Sequence, residues 1–214
     1  MSRLDAAEAP RDCQLCPRLV AYRRANAEAH PDWFNAPVPS FGKETARLLI
    51  VGLAPGVQGA NRTGRPFTGD YAGDLLYATL RDFGFTKGTY AARADDGLEL
   101  VDAMITNAIR CVPPQNKPTP AEARTCLGFL TARMAAMPHL GAVLALGRIA
   151  HDAVLSARDI KRSSATFGHG AAHDIGGGLH LFDSYHCSRY NTNTRRLTEA
   201  MFRSVFADIR KFLD

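Results

Sequence analysis

The 214-residue sequence contains no apolar run approaching the roughly 18 residues that a membrane-spanning helix needs. The start, MSRLDAAEAPRDCQLC, mixes acidic and basic residues without an apolar core and does not read as a secretory leader. Both readings point to a cytoplasmic protein. Cysteine is scarce, with five residues, and in a reducing compartment these do not make a disulfide framework. No internal repeat or low-complexity tract interrupts the chain. Neither nucleotide fingerprint is present. The glycine-rich stretch Gly52–Asp70 has Arg65 and Pro66 after Gly64 where a P-loop needs Lys and Ser/Thr, and the GxGxxG spacing is missing.

What is present is an ordinary globular composition, 46% hydrophobic and 22% charged, long enough for one α/β domain with a sizeable core. The net charge of +5 suits a polyanionic partner without identifying one. Ala46–Gly52 reads as a buried parallel strand, followed by the glycine-rich loop. Leu75, Leu76, Leu80 and Phe83 then mark a helix that Gly84 stops. Met104–Asn107, Ala142–Gly147 and Leu179–Ser184 supply three more strands, the last nearer an edge. A helix begins near Arg148. A final helix keeps Leu197, Met201, Phe202, Val205, Phe206, Ile209 and Phe212 on helical spacing. Strands alternating with helices predict an open parallel sheet covered on both faces. Residues 92–97 and Gly168–Gly178 read as surface loops.

Cys13 and Cys16 form a CxxC pair, while Cys111 and Cys126 are more widely spaced and Cys187 stands apart. Thiolates from two distant segments can clamp zinc or an iron–sulfur cluster. Small buried cysteines are the plainer alternative. The wide second pair tilts the reading toward a cluster. Cys126 falls inside a helix whose N-cap, N1 and N3 residues are Thr119, Pro120 and Glu122.

Three blocks and the cysteines together resemble a known family. The loop Gly52–Asp70, NAIRCVPPQNKPTPAE at Asn107–Glu122, and SYHCSRYNTNTRRLT at Ser184–Thr198 are similar to the family 5 (b-type) uracil-DNA glycosylases, relatives of the family 4 iron–sulfur enzymes. FGHG at Phe167–Gly170 extends the resemblance over nearly the whole chain. It implies a three-layer α/β/α sandwich around a four-stranded parallel sheet, as a single domain over residues 1–214. It also implies a 4Fe–4S cofactor on Cys13, Cys16, Cys111 and Cys126. The implied activity is monofunctional hydrolysis of the N-glycosidic bond of uracil, and of other deaminated bases, in duplex DNA, by a monomer.

Glycosylase chemistry requires a nucleotide flipped into a pocket. The resemblance gives Phe67 the stacking role, Asn107 the reading of the base edge, and His186 the donor to the departing base. Asn191 matches the family's second functional asparagine. Leu53 and Ala54 stand where other branches carry acidic or amide residues, so neither can activate water and both become pocket wall. Asp70 is the remaining carboxylate, with a helix N-cap as its alternative role. Cys187 takes the place of an expected proline, and Tyr190 that of a polar residue. DNA contact is expected from Arg189, Tyr190, Arg195 and Arg196 ahead of the final helix, with Arg62, Arg65 and Lys117 from the other two loops. The rival reading is a non-catalytic, cluster- or zinc-bearing nucleic-acid-binding protein of the same fold.

Overall fold

A computed structural model describes residues 7–214. Among these residues seven helices run in chain order as α1 (Pro17–Ala29), α2 (Ala60–Thr63), α3 (Tyr71–Asp82), α4 (Pro120–Ala135), α5 (Arg148–Ala157), α6 (Arg189–Asn193) and α7 (Glu199–Leu213). Eight strands alternate with them: β1 (Phe41–Gly42), β2 (Leu48–Gly52), β3 (Thr86–Lys87), β4 (Glu99–Leu100), β5 (Ala103–Asn107), β6 (Ala142–Leu146), β7 (Ala172–Asp174) and β8 (His180–Ser184).

The main sheet has six strands in the order β1-β5-β2-β6-β8-β7, and β3 pairs with β4 separately. The four inner strands are parallel and correspond to the four expected apolar runs. The expected four-stranded sheet is therefore corrected to a mixed, six-stranded one. The two outer strands, β1 and β7, are antiparallel additions. Their residues are few and mostly exposed, so no apolar alternation announces them, and β7 falls inside the segment read as a loop.

Alternation along the strands sends side chains to two separate cores. Leu49, Val51, Met104, Val143 and Leu181 face Leu19, Phe129, Leu130, Val154 and Leu155 from α1, α4 and α5. Leu48, Ile50, Ile105, Leu144 and Phe182 face Leu76, Leu80, Phe202, Val205, Phe206 and Ile209 from α3 and α7. Each fully buried side chain of this size contributes about 1.5–3 kcal/mol. Helix starts follow the local sequence. Thr119 and Glu122 close a capping box on α4, with Pro120 at its first turn. Thr198 caps α7 by accepting from Met201 N–H. Leu197, expected inside that helix, instead precedes the cap and is buried in the same core as Phe202, a hydrophobic staple.

The inner strands end at Gly52, Asn107, Leu146 and Ser184, so the loops that follow share the carboxyl edge of the sheet. All three motif blocks follow such strand ends.

Candidate active site

A cavity of about 370 Å³ opens at this edge, walled by Leu53, Ala54, Phe67, Asp70, Asn107 and His186, with Tyr71, Asn116 and Arg189 among its other lining residues. Register brings two of these groups together: β2 and β5 pair with Gly52 opposite Asn107. Asn107 is buried, and its amide makes no hydrogen bond to another described side chain or backbone group, which leaves it available to a ligand. Phe67 is buried beside it in the left-handed region, at φ 51°, a conformation that costs a non-glycine residue about 1 kcal/mol or more. Tyr90 Oη donates to the Phe67 carbonyl at 3.3 Å and helps hold that turn.

Gly52 makes the pair possible. A Cβ at this position would lie 2.5 Å from Asn107 Oδ1 and 2.6 Å from Phe67 Cζ. Gly59 does the same for the carboxylate, since its Cβ would fall 2.3 Å from Asp70 Oδ2. Neither glycine was singled out in the sequence, because only the folded register shows what each must accommodate.

Asp70 divides its roles between its two oxygens. Oδ1 accepts from Gly73 N–H at 3.2 Å and caps α3, while Oδ2 lies over Gly56 and Gly59. Burial raises the Asp70 pKa above the ordinary carboxylate value, only partly offset by the capping amide. The His186 ring sits 5.8 Å from that of Phe67. Burial pushes its pKa down to about 4, so it is a neutral imidazole at neutral pH. Neither ring nitrogen is hydrogen-bonded to another described residue.

The profile of the uracil-DNA glycosylase superfamily matches residues 39–210. A type-5 uracil-DNA glycosylase of Thermus thermophilus is 44% identical over 204 residues, which cover 93% of each chain. One from Mycobacterium tuberculosis is 41% identical over 210 residues, covering 93% of this chain and 77% of the relative. A type-4 uracil-DNA glycosylase of Thermotoga maritima is 32% identical over 171 residues, or 79% of this chain and 78% of the relative.

The chain belongs to the type-5 uracil-DNA glycosylase family.

Within this family member the last motif is held from behind. Asn191 lines no part of the cavity that holds Phe67. Its Nδ2 donates to the His186 carbonyl at 2.8 Å, which makes it a brace for the histidine. Cys187, in place of proline, is fully buried, and its thiol donates to the Ala72 carbonyl at 3.4 Å. The loop thus gains a core anchor where it lacks a stiff ring. Tyr190 is 73% exposed on α6, a short helix that the sequence reading did not anticipate.

The expected DNA contacts separate into two groups. Arg62, Lys117, Arg189, Arg195 and Arg196 are exposed, with the Arg189 guanidinium over the Tyr71 ring at 5.1 Å. Arg62 also staples its own loop through the Gln58 carbonyl at 2.9 Å. Arg65 is the exception and a correction. It is buried, donates through both terminal nitrogens to Asp96 at 2.7 Å, and lies over the rings of Phe41, Tyr77 and Tyr90. Its guanidinium holds the Asp96 carboxyl well below the usual range. Asp96 comes from the segment read as a surface loop, so the charge of Arg65 is satisfied inside the protein and does not face a polyanion.

The expected 4Fe–4S cofactor is also corrected. Cys13, Cys16, Cys111 and Cys126 line one narrow crevice, but its free space is about 10 Å³, near the minimum for a single water. Burial raises the thiol pKa values of Cys16 and Cys111 to about 11 and about 12. Among the described residues, the group whose ligand atoms all approach within 4.8 Å is His151, His173 and Asp183, with no cysteine in it. Leu19, Ile109 and Phe129 of the first core form part of the same crevice wall.

The His–His–Asp group carries no motif that would have marked it in the sequence. His151 Nδ1 donates to Asp183 Oδ1 at 2.7 Å and its Nε2 donates to the Ala165 carbonyl at 3.0 Å. Both ring nitrogens thus face oxygen acceptors, an arrangement that favours the protonated ring. Burial alone would lower its pKa, but Asp183, the Ala165 carbonyl and Asp152 together raise it. Asp183 Oδ2 takes Gly168 N–H and His173 Nε2, each at 3.3 Å. In this arrangement the group ties the FGHG loop to the end of β8. An ion would have to displace the proton on His151 Nδ1 before that nitrogen could serve as a ligand.

Proposed function

We propose that this chain is a single-domain glycosylase that excises uracil from duplex DNA by hydrolysing the N-glycosidic bond. The observation that carries the reading is the convergence of Phe67, Asp70, Asn107 and His186 on one cavity in a chain of this family. The four residues come from two loops and a strand end. No described helix is long and apolar enough to cross a membrane.

A flipped uracil stacks on Phe67, and the Asn107 amide offers a donor and an acceptor to its edge. Leu53 and Ala54 contribute wall without chemistry. As the C1′–N1 bond breaks, its electron pair leaves with the base and the sugar becomes positively charged. His186, neutral at working pH, donates N–H to a uracil carbonyl and stabilises the growing anion. Asp70 Oδ2 stabilises the cationic sugar and accepts a proton from the water that attacks C1′. Its raised pKa makes it a stronger base than an exposed carboxylate. No lysine lines the cavity, so an amine does not replace water and the strand stays intact after excision. Around the cavity, exposed Arg189, Tyr190, Arg195 and Lys117 supply contacts to the duplex.

The test is single-turnover incubation with a duplex carrying one uracil, followed by alkali. Cleavage at the uracil position only after alkali is the expected result. Uracil left in place by stoichiometric protein would refute the proposal, and strand breaks before alkali would refute its monofunctional part.

A further inference from the structure

A second cavity, of about 290 Å³, adjoins the first, and His186 lines both. Its other walls are Gly147, Arg148, Phe167, Gly168, Tyr185, Asn191 and Arg196, with no carboxylate among them. Arg148 lies over the Phe167 ring at 5.4 Å from its centroid, and Arg196 over the Tyr185 ring at 4.7 Å. Neither guanidinium makes an ion pair with a described residue. Two cations converging on one cavity repel each other unless an anion lies between them. Stacking on fixed rings keeps them there with their N–H groups free.

The platforms beneath the two arginines are braced. Tyr185 stacks on His169 at 5.1 Å, and its N–H donates to His169 Nδ1 at 3.3 Å. Gly168, next to Phe167, donates its N–H to the wholly buried Asp183, which also accepts from His151 Nδ1. The buried ion pair therefore sets the wall on which the arginines rest, a role that no motif in the sequence suggests. Arg148 lies outside the three motif blocks.

We propose that this second cavity receives a backbone phosphate of the bound DNA, one of the two that flank the flipped nucleotide. The assignment rests on the glycosylase reading of the first cavity. Planar guanidiniums with no carboxylate partner match a phosphodiester in charge and geometry. A base is a poorer fit, because the one amide in the wall, Asn191, already donates to the His186 carbonyl. Adjacency follows from His186, which lines both cavities. The contact would hold the sugar–phosphate backbone while the base enters the first cavity.

The experiment is a cycle between protein and DNA. Arg148→Met and Arg196→Met together remove both charges and keep bulk over the rings. The DNA is a duplex with 2′-fluoro-2′-deoxyuridine, in which fluorine destabilises the cationic sugar and prevents cleavage. Each flanking phosphate is replaced in turn by a neutral methylphosphonate, and affinity is read by fluorescence anisotropy. For wild-type protein, one of the two replacements should weaken binding by about tenfold. The double variant should lose about as much on unmodified DNA and lose no more with that methylphosphonate. Equal losses in both proteins at both positions would overturn the phosphate assignment, as would a wild type indifferent to both replacements. Excision of plain uracil duplex is scored separately. If coupling persists while uracil stays in place, the glycosylase reading fails and the phosphate cavity stands.

Discussion

Replacing Gly52 by alanine tests whether the candidate site depends on close approach between two strand ends. The added methyl would lie 2.5 Å from Asn107 Oδ1 and 2.6 Å from Phe67 Cζ, about 1 Å inside ordinary contact. Both neighbours are buried, Asn107 at the end of β5 and Phe67 in a left-handed turn, so neither withdraws freely. Overpacking of this kind costs about 1–3 kcal/mol, and replacing a strand glycine returns about 0.5–1 kcal/mol. A net loss of roughly 1–2 kcal/mol is expected. The effect on excision should be larger, because a displacement of about 1 Å at a reacting group can cost on the order of 100-fold. The assays are thermal unfolding and single-turnover excision. Gly141→Ala is the control: its Cβ would meet nothing closer than 3.8 Å, and its melting temperature should match wild type or rise slightly. Wild-type excision by Gly52→Ala would refute the claim that Asn107 and Phe67 need this fixed spacing.

Asp70→Asn keeps a capping oxygen and loses the carboxylate, so excision should fall at least about tenfold at an unchanged melting temperature; full activity would reduce Asp70 to its cap. Arg65→Ala breaks a buried ion pair and should cost about 3–5 kcal/mol of stability without altering the salt dependence of DNA binding. Arg189→Ala should do the reverse, flattening the salt slope by about one unit with the fold intact; exchanged phenotypes would refute the division between them. Stability should also depend on pH through two histidines of opposite sign. His186 has a folded pKa near 4 against an ordinary 6.5, so the unfolded chain binds more protons between these values. Stability then falls as pH drops through that window, by at most about 1.4 kcal/mol per unit. The raised pKa of His151 acts the other way: its contribution is complete below pH 6.5 and is lost as pH climbs through the folded value. His186→Asn should flatten the acid limb of the melting-temperature curve, and curves that stay parallel to wild type would disprove the assignment.

The sequence by itself determined the four inner strands, since runs such as LLIVG and AVLAL are buried on both faces and leave no other use for their apolar residues. It also determined the capped start of α4 and the periodicity of α7, because capping and amphipathic spacing act over four residues. Motif resemblance located Phe67, Asp70, Asn107 and His186, which the fold brings to one cavity. Tertiary structure alone decided which polar residues face the ligand. Arg65 and Arg62 read alike in the chain, yet Asp96, thirty-one residues beyond Arg65, buries one charge and leaves the other at the surface. The cysteines read as a ligand set from their spacing, whereas the distances that would join them depend on how α1 and α4 pack. Gly52, Gly59 and the Asp183–His151 pair were invisible for the same reason. Their importance lies in what approaches them across the sheet, and no local pattern records a neighbour that folding supplies.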